Sequence, residues 1–74
     1  MRVYPNPADS YLLVDAAEAG MVRIVSPHGI TVSSDYVDFP QTVLISTATL
    51  PPGLYQLRLE GRVQLYSAPL LIVR

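Results

Sequence analysis

Proline and glycine interrupt this chain at short intervals, and this leaves little room for a helix. Seven prolines and four glycines occur among its 74 residues. Only residues 15–20 (DAAEAG) have a helix-forming composition, and an isolated helix needs about 12 residues to be even marginally stable. We therefore predict that residues 15–20 form a turn and that the chain folds from strands.

Short runs of alternating or β-branched residues lie between these breaks. The clearest is residues 55–60, where apolar and polar side chains alternate strictly after Pro52 and Gly53, a pair that suits a type II turn. The predicted strands are residues 11–15, 21–26, 30–33, 42–46, 55–60, 62–66 and 70–73, with an irregular crossing over 34–40 and a tight hairpin at 60–61. This pattern is typical of an all-β fold, a small antiparallel β-sandwich of immunoglobulin-like size, and we predict one domain over residues 1–74.

Composition narrows the classes of partner. The net charge is −1, and the five basic residues are all arginines scattered along the chain, which argues against nucleic acid. Cysteine is absent, so no disulfide or thiolate metal site is expected. No apolar run approaches the roughly 20 residues of a membrane-spanning helix, so we expect no direct membrane insertion.

Side chains suited to catalysis or metal binding are sparse. His28 is the only histidine and lies in a predicted turn, whereas a general base or metal ligand needs converging partners. Asp35 and Asp38, together with Asp9 or Asp15, could ligate calcium, but their spacing matches no calcium loop and solvated loop acids are the simpler interpretation. We predict no catalytic residue, no metal and no cofactor.

Tyrosine is the main aromatic residue, and two interpretations of it are open. The five tyrosines are Tyr4, Tyr11, Tyr36, Tyr55 and Tyr66. Their rings could form a platform for sugars. Alternatively, they are half-buried in the fold with the hydroxyl directed to water, as is common for tyrosine.

The chain begins with a stiff segment, VYPNPADS. Pro5 and Pro7 fix their own φ at about −65° and remove two backbone donors. The residues that precede them, Tyr4 and Asn6, are pushed toward extended conformations. We therefore predict a stiff, extended lead-in segment over residues 1–9, which suits a chain that enters a folded body from a preceding linker in one fixed direction.

The chain ends in four apolar residues and one basic residue: Leu70, Leu71, Ile72, Val73 and Arg74. One interpretation is a last strand that is buried on both faces. The other is an edge strand, whose unpaired N–H and C=O groups could accept a strand from another protein. The second interpretation makes residues 70–74 a recognition strand.

Three landmarks occur in a characteristic order: YPNP at the start, MVRIVSPHGITV (residues 21–32) in the middle, and LPPGLYQLRL (residues 50–59) before the final apolar strand. In this order they resemble the C-terminal sorting domain of proteins exported by the type IX secretion system of Bacteroidetes-type bacteria, also known as the Por secretion system. The resemblance covers nearly the whole chain. The positions that carry it are Tyr4, Pro5, Asn6, Pro7, Gly29, Gly53 and Tyr55.

The resemblance implies a function in export rather than catalysis. Such a domain follows a cargo protein, is recognised by the outer-membrane translocon, and is removed in many members by a sortase-like protease. It implies transit through the periplasm to the cell surface or the extracellular space, with residues 70–74 as the recognition strand. An excised domain could also form a homodimer through an edge strand. The alternatives are an immunoglobulin-like accessory or adhesion module of a secreted bacterial enzyme, binding glycans or protein, and a small enzyme subunit.

Overall fold

The computed structural model describes residues 1–73 and contains seven β-strands, the predicted number. In place of the two strands predicted over 62–66 and 70–73 there is one continuous strand, Leu65–Ile72, which passes through Pro69, and residues 2–4 form a strand that the sequence pattern does not predict. The strands are β1 Arg2–Tyr4, β2 Tyr11–Ala16, β3 Gly20–Val25, β4 Thr31–Val37, β5 Gln41–Ser46, β6 Gly53–Gly61 and β7 Leu65–Ile72. They form two antiparallel sheets, one with the strand order β1-β2-β5 and the other with the order β4-β3-β6-β7. The predicted small, immunoglobulin-like β-sandwich is confirmed.

The core lies between the two sheets and consists of alternate aliphatic side chains from the strands. The buried residues of β2, β3, β5, β6 and β7 include Leu12, Val14, Val22, Ile24, Ile45, Leu57, Leu59, Leu70 and Ile72. Each fully buried leucine or isoleucine contributes about 1.5 to 3 kcal/mol relative to an exposed one. The core therefore depends on the period-two alternation that the sequence displays.

Strand β6 occupies the middle of the four-stranded sheet, between β3 and β7. Leu57 and Leu59 are buried, whereas Gln56 and Arg58 stand on the opposite, outer face of the sheet. Leu57 lies opposite Ile24 of β3, so the two strands contribute to the same core layer. The alternation predicted for residues 55–60 is confirmed.

Strand β4 is longer than its sequence indicates. The irregular crossing predicted over residues 34–40 is wrong for residues 34–37, which belong to the strand Thr31–Val37 and pair with β3. Ser34, Asp35 and Tyr36 pair with β3 in regular register, and the register shifts only beyond them, between Ile24 opposite Ser33 and Val25 opposite Thr31. Edge strands tolerate polar residues because much of their surface faces water, and local sequence patterns do not report this.

Two turns also differ from the prediction. A type II turn is predicted at Pro52 and Gly53, but Gly53, with a φ of +155°, is the first residue of β6. The hydrogen-bonded turn lies earlier in the chain, where Leu50 N donates to Thr47 O (3.0 Å). The hairpin between β6 and β7 does form, but its tip lies two residues later than expected, at residues 62–63, and it is closed by the bond from Gly61 N to Gln64 O (3.0 Å). Strand pairing extends as far as Glu60 opposite Leu65, which moves the turn onward.

Candidate functional site

The terminal strand has one buried side and one exposed side. Leu70 and Ile72 are buried in the core, with 0% and 1% of their surface exposed. Leu71 and Val73 are 38% and 44% exposed. The interpretation of a strand buried on both faces is therefore wrong, because the sandwich has only two layers and β7 lies at an edge of its sheet. Arg74 lies outside the described residues.

The side chain of Asn6 covers part of the β7 edge. Its Nδ2 donates a hydrogen bond to Pro69 O (2.9 Å), and its Oδ1 accepts one from Leu71 N (3.1 Å). A primary amide offers a donor and an acceptor side by side, as a peptide group of a neighbouring strand would. Pro69 has no backbone N–H. Its nitrogen faces away from β6, so the pairing of β7 with β6 loses no hydrogen bond.

Ala8 continues this pairing with its backbone. Ala8 N donates to Leu71 O (2.8 Å), and Val73 N donates to Ala8 O (2.8 Å), which forms a parallel bridge opposite Ile72. The Ala8 side chain is completely buried in the core. On the outer edge of β7, Pro69 O, Leu71 N, Leu71 O and Val73 N are thus already hydrogen-bonded.

The lead-in segment consequently packs against the sandwich, with its first part in the other sheet. Arg2–Tyr4 is strand β1 and pairs with β2, so only the stretch around Pro5 and Pro7 crosses from one sheet to the other. The peptide bonds before Pro5 and Pro7 are both cis. Sequence analysis missed both the pairing of β1 and the contacts of Asn6 and Ala8 with β7. The only local signal for them is an asparagine fixed between two prolines and a small apolar residue after them.

Asp15 anchors the start of this segment. Its Oδ1 accepts hydrogen bonds from Thr42 Oγ1 (2.6 Å) and from Tyr4 Oη (3.1 Å), which ties β1 and β5 to β2. The Thr42 hydrogen bond is the largest cause that lowers the pKa of Asp15, and the Tyr4 hydrogen bond and the charge of Arg2 act in the same direction. The Arg2 guanidinium also lies over the Tyr4 ring, 4.6 Å from its centroid.

Gly29 has a conformational role in the middle motif. Its φ is +81°, a region that glycine adopts at low cost. Gly29 N donates to Ser26 O (2.9 Å), and Ser26 Oγ accepts from the backbone N–H groups of His28 and Ile30 (3.3 Å each). The turn is thus closed by backbone geometry and by one serine, and His28 is exposed on it.

The Gly53 and Tyr55 positions belong to the start of β6. The Tyr55 ring packs against the core, and its hydroxyl donates to Pro51 O at 2.6 Å. This bond connects the strand to the prolines that precede it. Tyr4, Tyr55 and Tyr66 all donate hydrogen bonds within the chain, whereas Tyr11 and Tyr36 are exposed and belong to different sheets. The tyrosines therefore do not form one common platform.

Glu18 makes a second long-range contact that sequence analysis missed. Its Oε1 accepts hydrogen bonds from the backbone N–H groups of Arg62 (2.7 Å) and Val63 (3.2 Å), and its Oε2 accepts one from Tyr66 Oη (3.2 Å). The Val63 hydrogen bond is the largest cause that lowers the pKa of Glu18. Burial and the bond to Glu18 raise the pKa of Tyr66. The carboxylate thereby fixes the β6–β7 hairpin that leads into the terminal strand.

The acidic side chains and the histidine do not converge. Within residues 1–73, no group of three or more histidine, aspartate or glutamate side chains could hold a metal ion. Asp9, Asp35 and Asp38 are exposed. No helix in the described part of the chain is long and apolar enough to cross a membrane.

These features define the class of protein: a small two-sheet β-sandwich in which Asn6 and Ala8, close to its beginning, are hydrogen-bonded to the last strand. The chain belongs to the family of secretion system C-terminal sorting domains, whose sequence model matches residues 2–73. This confirms the family that the order of the three landmarks indicates. Comparison with curated proteins finds no match to this chain.

Membership in this family gives the domain its general role. It is a C-terminal sorting signal for type IX secretion, and this family is not a class of enzymes. A sorting domain acts in cis on a cargo protein, in conjunction with the secretion machinery. Its role is export across the outer membrane, to the cell surface or the extracellular space.

Proposed function

We propose that the outer-membrane translocon recognises this sorting signal by binding to the exposed side of the terminal strand. Leu71 and Val73 would be the contact residues, and Leu70 and Ile72 the anchors that hold the strand on the sandwich. We include Arg74 among the contact residues because of the sequence resemblance. The observation that supports the proposal is the alternation of 0% and 1% exposure at the anchors with 38% and 44% at the contact residues.

The contact is made by side chains rather than by addition of a strand. Asn6 and Ala8 already hydrogen-bond to the outer edge of β7 between Pro69 and Val73. A strand from the translocon would first have to displace them, whereas the Leu71 and Val73 side chains are accessible with those bonds in place. Burial of two exposed aliphatic side chains favours association without any change in the fold.

Processing by a sortase-like protease is the second part of the proposal. Arg2–Tyr4 is paired with β2, and proteases require an extended backbone that is not held in a sheet. Cleavage therefore falls upstream of Arg2, after the cargo and its sorting domain have passed through the periplasm. The paired β1 strand sets the boundary between the removable linker and the protected domain.

A reporter fused ahead of the full chain tests recognition in a bacterium that possesses the system. The variant L71Q/V73Q removes the apolar contact surface while leaving the anchors intact. Its matched control is L44Q/V63Q, another leucine and valine pair, which are 64% and 88% exposed and lie away from the tail. Surface reporter is quantified by protease shaving, and thermal unfolding of each purified domain verifies the fold.

We expect L71Q/V73Q to leave most of the reporter in the periplasm and L44Q/V63Q to be delivered like the unmodified chain. Normal delivery of the tail variant would contradict the proposal, as would equal loss with the matched control. Mass spectrometry of the delivered reporter locates the cleavage point, which we expect before Arg2. A cut within residues 2–16 would contradict the proposed boundary.

Dimerisation of the excised domain remains a separate prediction. A dimer that pairs two β7 edges must displace Asn6 and Ala8, so it requires an exchange of the lead-in segment between two copies. Light scattering coupled to size-exclusion chromatography would detect it. We expect the N6A variant to contain more dimer than the unmodified domain, and equal proportions would contradict this route.

A further inference from the structure

A groove with a volume of about 380 Å³ lies on the outer face of the four-stranded sheet, and Leu54 at its edge is the cross-strand neighbour of Leu71 in the tail. The turn at residues 26–29 forms one side of it, and β6 forms the other. The side chains of Gln56 and Arg58 line it, on the opposite side of β6 from the buried Leu57 and Leu59. The groove is therefore open to a partner without disturbance of the sandwich.

Part of the groove is apolar. Val25, Pro27 and Leu54 contribute to its lining. Val25 is 8% exposed, although it is not a member of the core cluster, and Leu54 is 60% exposed. Aliphatic surface of this kind favours a ligand that carries a hydrocarbon portion.

Arg58 is the cation that lines the groove, and one donor of its guanidinium is unsatisfied. Its Nε is buried and has no hydrogen-bond partner among residues 1–73. An arginine donor that is shielded from water and unpaired is unfavourable, and a charged acceptor is the partner that satisfies it best. The free chain thus contains one donor that an incoming ligand would satisfy.

The polar side chains around Arg58 are already bonded to one another. Arg23, which lies opposite Arg58 on β3, pairs with Glu60 through Nε and Oε1 at 2.9 Å. On the other side of β6, Gln56 Nε2 donates to Ser67 Oγ at 2.6 Å. Within residues 1–73 neither the Glu60 carboxylate nor the Ser67 hydroxyl accepts a hydrogen bond from Arg58 Nε, so this donor is available to an acceptor that a ligand brings into the groove.

We propose that this groove binds a carboxylate side chain on an acidic, partly apolar segment of a partner protein. Arg58 takes the carboxylate, and Val25, Pro27 and Leu54 contact the apolar residue beside it. Phosphate fits less well, because phosphate sites usually gather several cationic donors, and Arg58 is the one charged side chain among the described residues that line this groove. The chain's net charge of −1 gives no general attraction for anions, so the recognition is local to Arg58.

An NMR titration of the ¹⁵N-labelled 74-residue chain tests the proposal independently of secretion. The probes are acetyl-Leu-Glu-Leu-amide and its neutral analogue acetyl-Leu-Gln-Leu-amide. We expect the glutamate peptide to shift the Arg58 Nε–H signal and the backbone signals of Gly29 and Leu54 in a saturable manner. The glutamine peptide should bind about tenfold more weakly, since it lacks the charge-assisted bond.

Variants assign the effect to one residue. R58Q should remove the preference for the glutamate peptide, and R58K, which keeps the charge without the planar fork of donors, should weaken it. R62Q is the matched control, because Arg62 is an exposed arginine in the β6–β7 connection, and it should bind like the unmodified chain. Spectra of all three variants verify that the fold is retained.

Several results would overturn the assignment. These are no saturable shift, equal binding of the two peptides, or the same loss in R62Q as in R58Q. Inorganic phosphate that binds as tightly as the glutamate peptide would overturn it as well. Loss of secretion with a normal titration would affect only the proposed tail contact, so the two proposals fail separately.

Discussion

Asn6 and Leu71 lie 65 residues apart in the sequence, yet Asn6 Oδ1 accepts a hydrogen bond from Leu71 N at 3.1 Å. The same asparagine amide donates to Pro69 O, so one side chain takes the place of a neighbouring strand at the edge of β7. The beginning and the end of the domain therefore form one structural unit. One edge of the terminal strand is hydrogen-bonded to β6, and its outer edge from Pro69 to Val73 is hydrogen-bonded to the lead-in segment.

The N6A variant tests this relationship. It removes two hydrogen bonds, and because both lie at the surface we expect the free energy of unfolding to fall by about 1 to 2 kcal/mol. Urea unfolding at pH 7 measures this change. Hydrogen exchange at Leu71 N–H should also become faster, because its acceptor is gone. Q64A, a truncation of another exposed amide side chain, should change stability by less than about 0.5 kcal/mol; an equal loss there would mean that the effect is not specific to the β7 edge.

Ala8 should tolerate no larger side chain. It is completely buried and makes two backbone bonds to the terminal strand, so A8L forces extra volume into a packed core. Overpacking of this kind costs about 1 to 3 kcal/mol. Thermal or urea unfolding measures it, and A17L, at an exposed alanine in the β2–β3 connection, is the control. A stable A8L domain with normal Val73 N–H protection would show that the lead-in segment is not fitted to β7.

Glu18 should make stability depend on pH. Its hydrogen bonds lower the pKa from the ordinary value of 4.5, so the folded state binds a proton less readily than the unfolded chain does. The stabilisation is therefore present above pH 4.5 and is lost as the pH falls through the lowered pKa of the folded state. We expect E18Q to be less stable than the unmodified domain at pH 7, with the difference narrowing toward pH 3.

Urea unfolding at pH 7, 5 and 3 provides the comparison for Glu18. Y66F, which removes only one of the three donors, should show a smaller difference with the same trend. A gap between E18Q and the unmodified domain that stays constant over this pH range would show that the carboxylate charge is not responsible.

Two glycines should respond differently to alanine. A Cβ at Gly20 would overlap the backbone carbonyl of Glu60 on the neighbouring strand, which cannot move without disrupting the sheet. We expect G20A to cost about 2 to 3 kcal/mol. At Gly29 a Cβ meets no other atom within 4 Å, and only the φ of +81° opposes it, so G29A should cost about 1 kcal/mol. Urea unfolding ranks the two variants, and the reverse order would contradict the close approach of β3 and β6.

Much of the fold follows from local patterns. Strict alternation over residues 55–60 predicts both the strand and its buried side, since side-chain direction reverses at each residue of an extended chain. The same alternation places Leu70 and Ile72 on one side of the last strand, and this is the side that is buried. Ser34, Asp35 and Tyr36 have no such alternation, and they form a strand only because β3 is available to pair with them.

Local patterns in the sequence predict an all-β sandwich, because short-range sterics and side-chain periodicity control strands and turns. The order of the motifs along the chain indicates the sorting-domain family. The contacts of Asn6 and Ala8 with the edge of β7, the hydrogen bonds of Glu18 to the last hairpin, and the unsatisfied Nε of Arg58 emerge only in the tertiary structure. Each of these depends on which distant segments meet, and the free energy of such a contact appears only when the whole chain has folded.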